Sequence, residues 1–196
     1  MAVGAPGEAV GTRSGAGAVT VFRGVAAGLT ASGSQNWNQD TPAVPGAAES
    51  GDGFGTSVAL GDFTLDGRAD LVAGAPGEDV GAAANAGFAN LLRGGSSLLI
   101  TANAAGFSQS NVGQPIQAGA NFGAAVVAKK GPLVTNGALI VGVPGQRGPS
   151  ASDATGAIVS IGGGSDALNF GDVSYLHAYF FIVSGGADRR IGAILG

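Results

Sequence analysis

Short apolar runs separated by glycine-rich turns recur along the whole chain. The segment Ala18–Phe22 alternates with the two-residue period that is typical of a β-strand. Similar short runs occupy residues 56–60, 71–74, 87–92, 124–128, 139–142 and 156–161. No segment has the period of an amphipathic helix, and the pattern therefore predicts an all-β fold built from short strands.

The strands follow a repeat. Val3-Gly-Ala-Pro-Gly returns at residues 73–77 as Ala-Gly-Ala-Pro-Gly and at residues 141–145 as Val-Gly-Val-Pro-Gly. Phe54 recurs as Phe122 and Gly74 recurs as Gly142, at the same distance of 68 residues in both cases (122 − 54 and 142 − 74). Two landmarks that keep one offset indicate a repeated structural unit.

Each unit has the same order of about four short strands, which predicts β-propeller blades of four antiparallel strands. The boundaries divide the chain into an incomplete repeat at 1–52, a complete repeat at 53–120, a degenerate repeat at 121–168 and a divergent end at 169–196. Phe170-Gly171 resembles the opening of a further unit. Because propellers close with about four to eight blades, we expect a partial or open propeller, a fragment of a longer one, or one completed by another chain.

Composition narrows the class of protein. The 196 residues include 38 glycines, far above the usual share of about 7%, and this suits a fold with many turns. Net charge is −4 with no basic patch, which makes nucleic acid an unsuitable partner. Cysteine is absent, so disulfides and thiolate chemistry are excluded. No apolar run approaches the roughly 20 residues of a membrane span, and no signal peptide is visible.

The main candidate for chemistry is the loop between two predicted strands of the complete repeat. Asp62, Asp66 and Asp70 stand at relative positions 1, 5 and 9, and Gly67 at position 6 favours a tight turn. Calcium takes six to eight oxygen ligands, and a loop that bends at a glycine can aim alternate side chains at one ion. This spacing predicts one structural Ca²⁺ site.

Two further ligands complete the predicted site: the Thr64 hydroxyl at position 3 and the Arg68 carbonyl at position 7. Position 12 is Ala73 rather than the Glu of an EF-hand, so the loop joins two strands. The alternative is a polar turn without metal, held by Asx-type hydrogen bonds.

The following repeat lacks these ligands, because the three aspartates are replaced by Lys130, Val134 and Ala138. Asn136-Gly137 predicts a plain hairpin turn there.

No catalytic set is evident. His177 is the only histidine, and no serine lies in a nucleophile-elbow setting. Glu8 and the pair Glu78-Asp79 follow the Pro-Gly turns and are interpreted as solvated carboxylates, although either could reach a cation. We therefore expect a protein without catalytic activity of its own.

The stretch 54–95, FGTSVALGDFTLDGRADLVAGAPGEDVGAAANAGFANLLRGG and the residues beside it, resembles the FG-GAP repeat of integrin α-subunit β-propellers, in its bacterial form. The resemblance extends over residues 1 to about 164 and includes Trp37, which it assigns to packing between blades. It implies calcium loops with acidic or amide residues at positions 1, 3, 5 and 9. Asp62, Asp66 and Asp70 match that pattern, while Thr64 departs from it.

The resemblance also implies a secreted or cell-surface protein that mediates adhesion. We expect a calcium-binding interaction module with a protein or a surface glycan as ligand, and with further blades or self-association to complete the propeller. Two alternatives stay open. The chain could be an accessory propeller domain of a secreted hydrolase, phospholipase-like or glycosidase-like, or a truncated fragment without independent function.

Overall fold

The computed structural model describes residues 1–131, 134–148, 156–164 and 168–177. This part of the chain consists of β-strands with one short 3₁₀ helix, Gln109–Val112. The strands are β1 (Ala2–Ala5), β2 (Ala18–Val25), β3 (Gly28–Trp37), β4 (Ser57–Gly61), β5 (Asp70–Ala75), β6 (Phe88–Gly95), β7 (Leu98–Phe107), β8 (Ala125–Gly131), β9 (Val134–Val143), β10 (Ala157–Gly163) and β11 (Leu168–His177). The predicted all-β fold is confirmed.

The strands form three antiparallel sheets, and within each sheet the paired strands are consecutive in sequence. The first sheet has the order β1-β2-β3, the second β4-β5-β6-β7 and the third β8-β9-β10-β11. Each four-stranded sheet is an up-and-down meander, the form of a propeller blade. The prediction of blades in a partial or open propeller is confirmed, and the three sheets are called the first, second and third blades below.

Repeated glycines lie where neighbouring blades touch. A Cβ atom at Gly4 would come within 1.9 Å of the Gly55 carbonyl oxygen, and one at Gly74 within 2.0 Å of the Gly123 carbonyl oxygen. Only glycine permits two backbones to approach so closely. The Gly-x-Pro-Gly turn of one blade is therefore matched to the Phe-Gly pair of the next by direct backbone contact.

Two apolar cores lie between the blades. The core of the first junction includes Val19 and Trp37 of the first blade, Phe54 at the start of the complete repeat, and Leu71 and Leu92 of the second blade. Trp37 is 8% exposed within this core, so its predicted role in packing between blades is confirmed. The second core is larger and joins the second and third blades, with the Phe107 and Phe122 rings in edge-to-face contact at 5.9 Å.

Two predictions about the third blade are wrong. Phe170 and Gly171 lie inside β11, which pairs with β10, so this pair continues the third blade instead of opening a new unit. Asn136 and Gly137 lie inside β9 rather than in a hairpin turn. A Cβ at Gly137 would come within 2.6 Å of the Asp62 carbonyl oxygen, so this glycine serves contact with the second blade.

The predicted divergent end begins at residue 169, within β11, and its residues 178–196 lie outside the described part of the chain. In the described ranges, no helix is both long and apolar enough to cross a membrane.

Candidate functional site

The candidate loop connects β4, which ends at Gly61, to β5, which begins at Asp70. Leu65 and Gly67 have positive φ angles of 56° and 83°, so the chain turns at these two residues. The predicted turn at Gly67 is confirmed. Gly67 suits it because glycine adopts positive φ without a steric penalty.

Asp70 closes the base of the loop. Its side chain is fully buried, and Oδ2 accepts hydrogen bonds of 2.9 Å from the backbone N–H groups of Phe63 and Thr64. Its Oδ1 accepts a third, of 2.8 Å, from the N–H of Gly94 on β6. Because hydrogen bonds to an ionised acceptor are the stronger kind, this carboxylate ties the loop to two strands of its own blade.

Asp62 holds the turn from the other side. Its Oδ1 accepts the Asp66 N–H and its Oδ2 accepts the Gly67 N–H, both at 3.0 Å. These are the side-chain-to-backbone bonds by which aspartate stabilises tight turns. Asp62 therefore orders the exposed tip of the loop.

The Asp66 carboxylate lies close to two arginine side chains of the same blade. Its Oδ1 accepts the Arg68 N–H at 2.9 Å, and its Oδ2 lies 3.4 Å from the Arg68 guanidinium and 3.8 Å from that of Arg93. The two guanidiniums partly neutralise this carboxylate. The Arg68 side chain is 55% exposed, and an exposed ion pair of this kind contributes at most about 1 kcal/mol, whereas the Arg93 side chain is mostly buried.

Thr64 is the residue without a complete set of partners. It is fully buried, and its Oγ1 has no hydrogen-bond partner. Within the described ranges, no group of three or more His, Cys, Asp or Glu side chains lies close enough to hold a metal ion. The five predicted ligand residues thus share one loop, but their carboxylates are directed to backbone N–H groups and to arginines. The Thr64 hydroxyl oxygen, by contrast, is buried without a hydrogen-bond partner.

The loop also contacts the third blade. The Gly164 N–H donates to the Phe63 carbonyl oxygen at 3.2 Å, and Gly137 packs on the carbonyl of Asp62. Phe63 itself is fully buried in the second core. The backbone of the loop is therefore part of the junction between the second and third blades.

Sequence reasoning missed Arg93 and Gly94, which meet the loop from β6. In the sequence, the Arg-Gly pair indicates only that a strand ends there. It does not indicate that these residues contact the loop. In the third blade the strands extend further, since Gly131 of β8 pairs with Val134 of β9. Positions 130 and 138, which correspond to Asp62 and Asp70, therefore lie within β8 and β9.

A comparison with known protein families matches residues 54–89 to the FG-GAP repeat. These residues run from the Phe-Gly pair through β4, the loop and β5 into the start of β6. A comparison with curated proteins finds no match. The chain therefore contains a match to the FG-GAP repeat, and the matched residues lie within blades of the kind that form propellers. The predicted family resemblance is confirmed for this repeat.

Proposed function

We propose that this chain is a non-catalytic interaction module of a secreted or cell-surface protein, whose ligand is a protein or a surface glycan. The FG-GAP repeat and its blade architecture carry the proposal, because FG-GAP repeats are typical of extracellular proteins. A propeller presents its connecting loops at the ends of its blades, where a ligand can reach several at once.

Binding to an array of candidate proteins and glycans tests this role. Specific and saturable binding supports this role if substitutions in the connecting loops of the blades weaken the binding. Turnover of a hydrolase substrate by the purified chain contradicts it.

We further propose that the loop from Asp62 to Asp70 binds one structural Ca²⁺ through Asp62, Thr64, Asp66, Asp70 and the carbonyl of Arg68. The spacing of the carboxylates supports this, and so does the buried Thr64 hydroxyl without a partner. A carboxylate can accept about four contacts, so the hydrogen bonds to Asp62 and Asp70 leave acceptor capacity for a cation. A bound ion would replace the arginines as the counter-charge of Asp66.

A calcium titration followed by thermal unfolding tests the site. A ligand at 100 times its Kd stabilises the folded state by about 2.7 kcal/mol, which for a chain of this size raises Tm by roughly 5–10 °C. Asp66→Asn keeps the shape of the side chain and removes its charge, and we expect it to abolish most of the rise. Glu8→Gln removes an exposed carboxylate outside the loop and should leave the rise unchanged.

Equal calcium responses in wild type, Asp66→Asn and Glu8→Gln would contradict the calcium site while leaving the interaction module intact. Magnesium serves as the second ligand in this assay. It prefers near-ideal octahedral geometry and gives up its waters reluctantly, so we expect a weaker response than with calcium.

We also propose that a further blade covers the free face of the first blade. This face carries Met1, Val3, Ala5, Thr20 and Phe22. The same positions one repeat later are Leu71, Ala73, Ala75, Asn90 and Leu92, which are fully buried where the first blade packs against the second. Met1 and Val3 are 52% and 43% exposed. The burial of the counterpart face supports this proposal, in which the partner is a blade of a second copy or of a longer chain.

A further inference from the structure

A buried amide and a carboxyl group meet at the junction of the first and second blades. Gln39, which follows β3, is 2% exposed, and its Nε2 donates to Glu78 Oε2 at 2.5 Å. Glu78 follows the Pro-Gly turn after β5. The other amide atom, Gln39 Oε1, is buried without a hydrogen-bond partner. An acceptor buried in this way costs about 1–3 kcal/mol unless a donor reaches it.

The charged groups that act on Glu78 are all carboxylates. Asp52 lies in the linker between the blades, is 2% exposed and accepts the Glu49 N–H. The pKa of Glu78 is raised to about 7, chiefly by burial and in smaller part by the charges of Asp52, Glu49 and Asp79, while the hydrogen bond from Gln39 acts to lower it. Burial also raises the pKa of Asp52. Nothing among these groups supplies a positive counter-charge.

The next junction provides an internal comparison. One repeat later, Gln39 corresponds to Gln109 and Glu78 to Gln146, and Gln109 Nε2 donates to Gln146 Oε1 between the second and third blades. Both of these side chains are buried. Here Gln109 Oε1 also has a donor, the N–H of Gln117 at 2.9 Å.

The carboxylates around Glu78 are likewise replaced in this second junction. Glu49, Asp52 and Asp79 correspond to Gln117, Ala120 and Arg147. The position of Glu78 thus accommodates a neutral hydrogen-bonding side chain in the same architecture.

We infer that Glu78 holds a proton against Gln39, and that this proton links the first two blades under mildly acidic conditions. A neutral carboxylic acid has one O–H donor beside its carbonyl acceptor. It can therefore accept from Gln39 Nε2 and donate to Gln39 Oε1, which gives the unpartnered oxygen its donor.

The proton makes this junction sensitive to pH. In the folded chain the pKa of Glu78 is about 7, whereas its ordinary value is 4.5. Between these values the folded state binds more protons than the unfolded state, so stability falls as pH rises through this window. The contribution is fully present below about pH 4.5 and is lost above about pH 7. This property is independent of the proposed calcium site and of any ligand.

Thermal unfolding from pH 5 to pH 8, in EDTA so that calcium does not contribute, tests the inference. Glu78→Gln reproduces the neutral pair of the second junction. We expect wild type to lose roughly 3–6 °C of Tm relative to Glu78→Gln over this range, an amount reduced because the side chain is only partly buried. Glu8→Gln is the matched control, because Glu8 holds the same position in the first repeat and is exposed. It should follow the wild-type curve.

Carbon NMR of the side-chain carboxyl groups gives a second measurement on the wild-type chain itself. The resonance that is absent in Glu78→Gln identifies Glu78, and its midpoint should lie well above the ordinary range for glutamate, near pH 7. A midpoint near 4.5, or equal pH slopes of Tm for wild type and Glu78→Gln, overturns the inference.

Discussion

At the scale of single residues, Asp70 holds the candidate loop in place, whether or not it also serves as the proposed calcium ligand. Three backbone N–H groups converge on its two oxygens, and the side chain is fully buried. Its position could be predicted from the spacing of the aspartates. The bond to Gly94 could not, because a strand that follows after a long connection leaves no local signal in sequence.

The first prediction concerns the charge of Asp70. Asp70→Asn places an NH₂ group where one oxygen now accepts an N–H, so at least one buried donor loses its partner. We expect a loss of about 2–4 kcal/mol in the free energy of unfolding, measured by urea denaturation in EDTA. Asp62→Asn is the matched control, since Asp62 also accepts two N–H groups but orders an exposed tip. It should cost less than about 1 kcal/mol. Equal losses for the two variants would contradict the bracing role of Asp70.

At the scale of elements, the glycine motif explains why the sequence predicted the blades so well. Close contact between blades requires glycine at the repeated positions, as at Gly74 and Gly123. The spacing of these glycines in the sequence therefore reflects the spacing of the blades. The same requirement for glycine explains why the turn predicted at Gly137 was wrong. In a sequence, a glycine that packs against another blade, here against Asp62, looks the same as a glycine in a turn. The prediction that Phe170-Gly171 opens a new unit was wrong for a related reason. A dipeptide does not show which blade its strand belongs to when the partner strands are unknown.

The second prediction tests these contacts with a pair of matched glycines. Gly7 and Gly77 end the same Gly-Ala-Pro-Gly motif, but a Cβ at Gly77 would lie 2.1 Å from the Gly51 carbonyl oxygen, and one at Gly7 would meet nothing within 4 Å. Gly77→Ala should therefore destabilise the chain by about 2 kcal/mol or more, because backbone has to move. Gly7→Ala should change stability by no more than about 0.5 kcal/mol. Urea denaturation measures both, and similar values for the two would refute the close packing of motif backbones.

At the scale of the whole molecule, the two junctions repeat one architecture with different chemistry. Both have an apolar core, a glycine contact and a buried side-chain amide pair or its equivalent. Carboxylates surround the first pair, whereas a glutamine, an alanine and an arginine take these positions in the second. The sequence repeat predicted where the junctions lie. Their difference in charge could not be predicted, because it depends on the contact between Gln39 and Glu78, which lie far apart in sequence. We therefore expect acid to strengthen the first junction and to leave the second unchanged.

The last prediction concerns the free face of the first blade. Its counterpart in the second blade is fully buried against a neighbour, and we therefore expect the exposed Met1 and Val3 to pack on another blade. We expect the chain to self-associate with rising concentration in analytical ultracentrifugation, and Val3→Asp to keep it monomeric by placing a charge in the contact. Val25→Asp is the control, since Val25 is 50% exposed on the same sheet but lies at the β2–β3 hairpin. If both variants dissociate the assembly equally, or if wild type stays monomeric at every concentration, a second copy is not the partner of this face.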